Sequence, residues 1–233
     1  MKFIALLKKE LRECLPWIIL VAVALLVIGL ISLSLARTHS GILWRWPDFE
    51  RFKDGGETNW QITQHTPLFM VGPTLLITAI ALGLILGIRQ FWLPFFTHTW
   101  PYLFHRSVTR KTILAAKFTA AAIGLIAACG INWAIMFRYA NNPDFFPFPT
   151  FARVFWEGWV MIAIGYMVYL ATALSGLSTA RWYTTRIFAL AFVTAAFIFP
   201  ILQHHVSWAL AIIAAVYLVL IVQIIELVQK REF

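Results

Sequence analysis

Residues 16–36 read PWIILVAVALLVIGLISLSLA, an uncharged run in which Leu, Ile, Val and Ala dominate. Wound as an α-helix at about 1.5 Å per residue, it matches the roughly 30 Å hydrocarbon core of a bilayer. Five further stretches are mostly apolar and close to that length: 67–93, 113–137, 155–176, 186–202 and 207–228. The fifth stretch is short and holds Pro200 near its end; only Gln203, His204, His205 and Val206 separate it from the sixth. The expected fold class is an all-α integral membrane protein with six transmembrane helices over residues 16–233.

Composition agrees. Of 233 residues, 61% are hydrophobic and 12% charged, whereas soluble domains carry about 25% charged residues. That leaves too little polar surface to enclose a water-soluble core. The formal charge of +9 follows from topology before it suggests nucleic acid. With both termini cytoplasmic, Lys2, Lys8, Lys9, Arg12, Arg89, Arg106, Arg110, Lys111, Lys117, Arg181, Arg186, Lys230 and Arg231 fall on inner segments, 13 of the 19 basic residues. The positive-inside bias therefore predicts a multi-pass protein of the cell (inner) membrane, N- and C-termini cytoplasmic, with anionic lipids and not nucleic acid as partners.

Residues 1–15, MKFIALLKKELRECL, repeat apolar side chains at Phe3, Ile4, Leu7 and Leu11, with Lys8, Lys9 and Arg12 on the other side. This pattern predicts an amphipathic helix on the membrane surface, turned into the first span at Pro16. The start of the chain does not read as a cleavable signal peptide, since its apolar run is as long as a full span. Cys14 and Cys129 stand at different depths, so no disulfide is expected.

Outside the bilayer, residues 37–66 mix Trp44, Trp46 and Trp60 with charges and the turn Asp54-Gly55-Gly56, as interfacial anchors do. Residues 141–153, with Pro143, Pro147 and Pro149, predict a stiff turn that dips Phe145, Phe146 and Phe148 toward lipid. Within the spans, Ala116, Ala120, Gly124 and Ala128 form a strip of small residues, as do Gly83 and Gly87, for close helix contact. Pro73 predicts a kink. Asn132, Tyr166, Tyr169, Thr172, Ser175 and Gln223 read better as bonds between helices than as the lining of a path. Glu157, with Arg153 one turn earlier, is the deepest intramembrane charge and the candidate intramembrane polar site.

The inner segment FFTHTWPYLFHRSVTRKTILAAK, residues 95–117, is aromatic and basic and leads into a helix that Thr109 is placed to cap, with Lys111 and Lys117 able to snorkel. It resembles the permease subunits of type-2, export-class ATP-binding cassette (ABC) transporters. Ser107-Val108-Thr109-Arg110 stands where Pro-Val-Ser-Arg is usual in that family, and Ile113-Leu114 and Lys117 follow in order. The basic N-terminus with Lys8-Lys9-Glu10-Leu11 and the six spans look like the same family. Ser107 in place of proline, and His98 in place of a glycine, depart from its pattern.

The resemblance implies a half-transporter, pairing with a second copy or a paralogue and docking an ABC ATPase subunit. The coupling segment maps to 95–111, with Tyr102, His105, Arg106, Ser107, Thr109, Arg110 and Lys111 as its contact residues. No GxxxxGK[ST] phosphate loop occurs in the sequence. The implied chain is therefore not itself an enzyme and binds no cofactor; ATP-Mg sits in the partner. Few polar residues and many aromatics point to an amphipathic or lipid-like substrate. Two other classes compete: a non-transporting anchor or assembly subunit of a larger membrane complex, and an enzyme using outer-face histidines with a metal. For the second, His204-His205 reads better as a solvated hairpin tip, because adjacent histidines diverge on any regular element.

Overall fold

The computed structural model describes residues 2–39, 68, 71–97, 109–146, 150, 152–178, 188–196, 198 and 206–230. Helix α1 is Lys2–His39. Helix α2 runs from Val71–Gly87 through a π-helical turn, Ile88–Trp92, into Leu93–Phe96. Helix α3 runs from Arg110–Leu125 through a second π turn, Ile126–Gly130, into Ile131–Ala140. Then come α4, Ala152–Leu177, α5, Phe188–Ala196, and α6, Val206–Lys230. No strand occurs among the described residues.

Five of these helices (α1, α2, α3, α4 and α6) are long and apolar enough to cross a membrane, which is compatible with a multi-pass membrane protein. The predicted fifth span, 186–202, is represented by the nine residues of α5; the rest of it lies outside the described residues. The loop 37–66 falls outside them too, apart from the last residues of α1.

Helix α1 departs from expectation at Pro16. It is continuous for 38 residues with Pro16 inside it, so the sharp turn is absent and residues 2–15 are the first part of one helix. Proline withholds one N–H from the ladder, and that loss falls on the exposed side, where Leu15, Pro16 and Trp17 all face outward. Packing outweighs it. Glu10, Cys14, Ile18, Val21, Leu25 and Leu33 are all buried and fall on one helical stripe that crosses position 16 unbroken.

The strip of small residues on α3 behaves as predicted. A methyl at Gly124 would press on Ile18 of α1, at 2.9 Å. Helix α4 is the centre of the bundle: 78% of its most apolar window is buried, against 28% for α1 and for α6. It meets α2 almost backbone to backbone, because a Cβ at Gly83 would run into the carbonyl oxygen of Gly165. Gly87 makes room for the side chain of Thr172, and Gly176 for the indole of Trp92. Without a hydrophobic drive between helices in lipid, such close approach supplies the dispersion contacts that hold them.

Pro73 is the third residue of α2, in the first turn, where a proline is tolerated. One local expectation is corrected. Residues 141–146 do turn, with Asp144 N–H donating to Asn142 Oδ1 at 3.1 Å, but the phenylalanines fold back instead of dipping outward. Phe146 is buried, and Phe145 stacks on Tyr139 with ring centroids 4.7 Å apart. Burial against an aromatic neighbour outweighs exposure here; Phe148 lies outside the described residues.

Gly83→Ala is expected to lower the unfolding midpoint of the detergent-solubilised chain, with overpacking of about 1–3 kcal/mol exceeding the gain in helix propensity. Gly72→Ala, whose methyl meets only the flexible end of Met161 at 3.6 Å, leaves the midpoint level or raised. Thermal unfolding of both variants checks the pair.

Candidate functional site

Of the contact residues expected in the coupling segment, Thr109, Arg110 and Lys111 are described; Tyr102, His105, Arg106 and Ser107 lie outside the described residues. Thr109 caps α3 as expected. Its backbone is extended, its Oγ1 accepts from Thr112 N–H at 3.4 Å, and the two hydroxyls meet at 2.7 Å. Arg110 reaches across the bundle end, its Nη1 donating to the Val228 carbonyl of α6 at 3.1 Å. Lys111 is exposed. The first turn of α3 is thus fastened to the last turn of α6.

Two turns further along α3, Lys117 does not snorkel. It is 2% exposed, and its Nζ lies 2.9 Å from Glu10 Oε1 on α1. A second bond runs from Nζ to the Gln90 carbonyl, at 3.1 Å. Pro94 lies four residues after Gln90 and brings no N–H to that carbonyl in the α-helical pattern, so the lysine supplies a donor where the helix lacks one. The Phe91 ring lies under the ammonium, 5.7 Å to its centroid.

The amide of Gln90 extends the cluster. Its Nε2 donates to Cys14 Sγ at 3.4 Å, and its Oε1 accepts from Tyr169 of α4 at 2.6 Å. Glu10, Cys14, Gln90, Lys117 and Tyr169 therefore join four helices in one buried polar network. A buried charge survives only when paired and hydrogen-bonded, and here both conditions hold. Nothing in the local sequence pairs residue 10 with residue 117. The available signal was the register: Glu10 continues the stripe of Cys14, Ile18 and Val21, and Lys117 sits beside Ala116, Ala120 and Gly124.

Asn132 and Tyr166 bond between helices as expected, whereas Thr172 donates to the Val168 carbonyl of its own helix at 2.7 Å. Asn132 Nδ2 donates to the Ala22 carbonyl at 2.9 Å, Tyr166 to Phe118 at 3.3 Å, and Tyr217 to Ala163 at 2.5 Å. Arg153 and Glu157 are brought together, Nε to Oε1 at 2.8 Å, with side chains 35% and 30% exposed. They lie on the first turns of α4, well before Tyr169 and near the other end of the bundle. Cys14 and Cys129 are both free thiols. Among the described residues no group of three or more His, Cys, Asp or Glu could hold a metal; the side chains of the six histidines lie outside that set.

No protein-family model, curated protein or solved structure matches the chain.

Lys117→Met is expected to cost about 3–5 kcal/mol, because it strands Glu10 without its partner, whereas the double variant Glu10→Leu/Lys117→Met recovers most of that loss. Lys9→Gln, at the half-exposed Lys9–Glu13 contact of 3.6 Å, changes stability by less than about 1 kcal/mol. Denaturant unfolding in micelles reads all three.

Proposed function

We propose that this chain is the membrane-spanning permease subunit of a type-2 ABC exporter. It acts as a dimer with a second copy or a paralogue, and a separate ABC ATPase subunit binds ATP-Mg. In this reading six spans cross the cell (inner) membrane with both termini cytoplasmic, and the cargo is amphipathic or lipid-like.

The observation that carries the proposal is how the segment resembling the family's motif is fastened to the bundle. Thr109 starts α3, Arg110 holds the end of α6 at 3.1 Å, and Lys117 grips α1 through Glu10 and α2 through the Gln90 carbonyl. A push delivered to the start of α3 at Thr109–Lys111 would therefore reach four helices within three turns. An ATPase docked on that segment would need such a connection, because rigid helices and packed side chains carry displacement further than loops do. The motif Ser107-Val108-Thr109-Arg110 with Ile113-Leu114 and Lys117 supports the same reading from the sequence side.

Co-expression with the ATPase encoded beside the gene, and purification through one subunit, tests this. The expected result is a stable complex whose ATPase rate responds to the permease. Arg106→Glu and Arg110→Glu are each expected to weaken that response by about fivefold or more, the lower range of an allosteric coupling. A chain that copurifies with other membrane proteins and no nucleotide-binding subunit is the anchor or assembly subunit instead. An ATPase indifferent to both charge reversals removes the coupling role.

A further inference from the structure

Beside the Glu10–Lys117 pair, between the first turns of α1 and the last turns of α2, lies a cavity of about 260 Å³. Lys9 and Glu13 of α1 line one side; Arg89, Leu93 and Thr97 of α2 line the other. The charges around it are unevenly answered. Lys117 is matched by Glu10 at 2.9 Å, and Lys9 by Glu13 at 3.6 Å with both side chains 47% exposed. Among the described residues Arg89 makes no ion pair, and its Nε is buried without a hydrogen-bond acceptor.

A buried donor left unsatisfied costs about 1–3 kcal/mol, more for a charged group. An occupant that brings oxygen acceptors removes that cost. A guanidinium offers its donors as a planar fork matched to phosphate or carboxylate. The half-exposed Lys9, held by Glu13 only at 3.6 Å, is a second cation within reach of the same space. The volume lies just below the range of about 300–1,000 Å³ for small-molecule pockets, which suits a head group better than a drug-sized molecule.

The surroundings match an amphiphile. Arg89 sits near the end of the apolar stretch Val71–Trp92. Ile88 beside it and Leu93 at the cavity wall are 49% and 51% exposed, apolar surface on which acyl chains can lie. Glu13, released when Lys9 turns inward, repels a dianion more than a singly charged phosphodiester.

We propose that this cavity binds a phosphate group, with Arg89 as its principal donor and Lys9 as the second. The inference does not depend on the exporter reading, since it needs only the cavity and a membrane nearby.

Native mass spectrometry of the full chain in detergent tests it, with phosphatidylethanolamine, diacylglycerol and inorganic phosphate as separate probes. Phosphatidylethanolamine is expected to be retained and diacylglycerol not, and Arg89→Gln is expected to weaken retention about tenfold or more, the loss of a charge-assisted bond. Displacement of the lipid by millimolar inorganic phosphate would identify free phosphate as the source and leave the site in place. Equal retention of diacylglycerol, undiminished binding in Arg89→Gln, or no binding of either phosphate probe would overturn the proposal. Should Arg89→Gln fail to fold, Lys9→Gln, at a half-exposed position, carries the same test. A loss of about threefold is then expected, as for one partly screened charge contact, and unchanged binding counts against the site.

Discussion

Lys117 carries a charge into an apolar bundle, and much of the architecture at that end is arranged to receive it. An ammonium in a low-dielectric interior is tolerated only with a counter-charge and further acceptors. The counter-charge comes from Glu10, 107 residues away in sequence, and the acceptor from a carbonyl that Pro94 leaves short of a donor. Meeting both needs requires α1 to remain helical through Pro16, α2 to end beside α3, and the two to lie against the same face of α3. The pair contributes little net stability over an apolar replacement. What it specifies is register, since sliding α1 by one turn against α3 would separate the charges.

Around that joint the packing is of a different kind. Helices α2 and α4 touch through Gly83 and Gly165, where dispersion between backbones replaces the side-chain interlocking of soluble cores. Trp92 and Trp133 place their indole N–H groups on carbonyls of α4, Thr172 and Phe155, each at 3.0 Å. These long-range bonds anchor the central helix toward both ends, and the hydrogen bonds at Ala163, Tyr166 and Tyr169 hold its middle.

The parts legible in the sequence are those governed by short periods. Apolar run lengths located the five long helices, and the four-residue spacing of Ala116, Ala120, Gly124 and Ala128 found the face that α1 covers. Thr109 as a cap followed from its place before a basic, apolar-periodic run. The parts that were not legible depend on distant partners. Read locally, Lys117 at a helix start snorkels and Pro16 breaks a helix; both readings fail because burial of the Glu10–Cys14–Ile18 stripe outweighs the local preference. Phe146 reads as lipid-facing only until Tyr139 is placed beside it. The resemblance in residues 104–117 pointed to an end of the bundle, and the network that fastens that end had no motif to announce it.

The π turn at Ile88–Trp92 has an evolutionary consequence. A turn of this kind holds one residue more than its α-helical equivalent, which displaces everything beyond it by about 100° around the axis. A helical wheel drawn from Val71 therefore misassigns the faces of Leu93, Pro94 and Thr97. Such a turn is what remains when a chain absorbs a one-codon insertion without moving either end of its helix. Both halves of α2 keep α4 as a neighbour, Gly83 against Gly165 before the turn and Gln90 and Trp92 bonded to Tyr169 and Thr172 within it. A relative lacking that codon would carry a regular α-helix there, with its inner end facing the same neighbours.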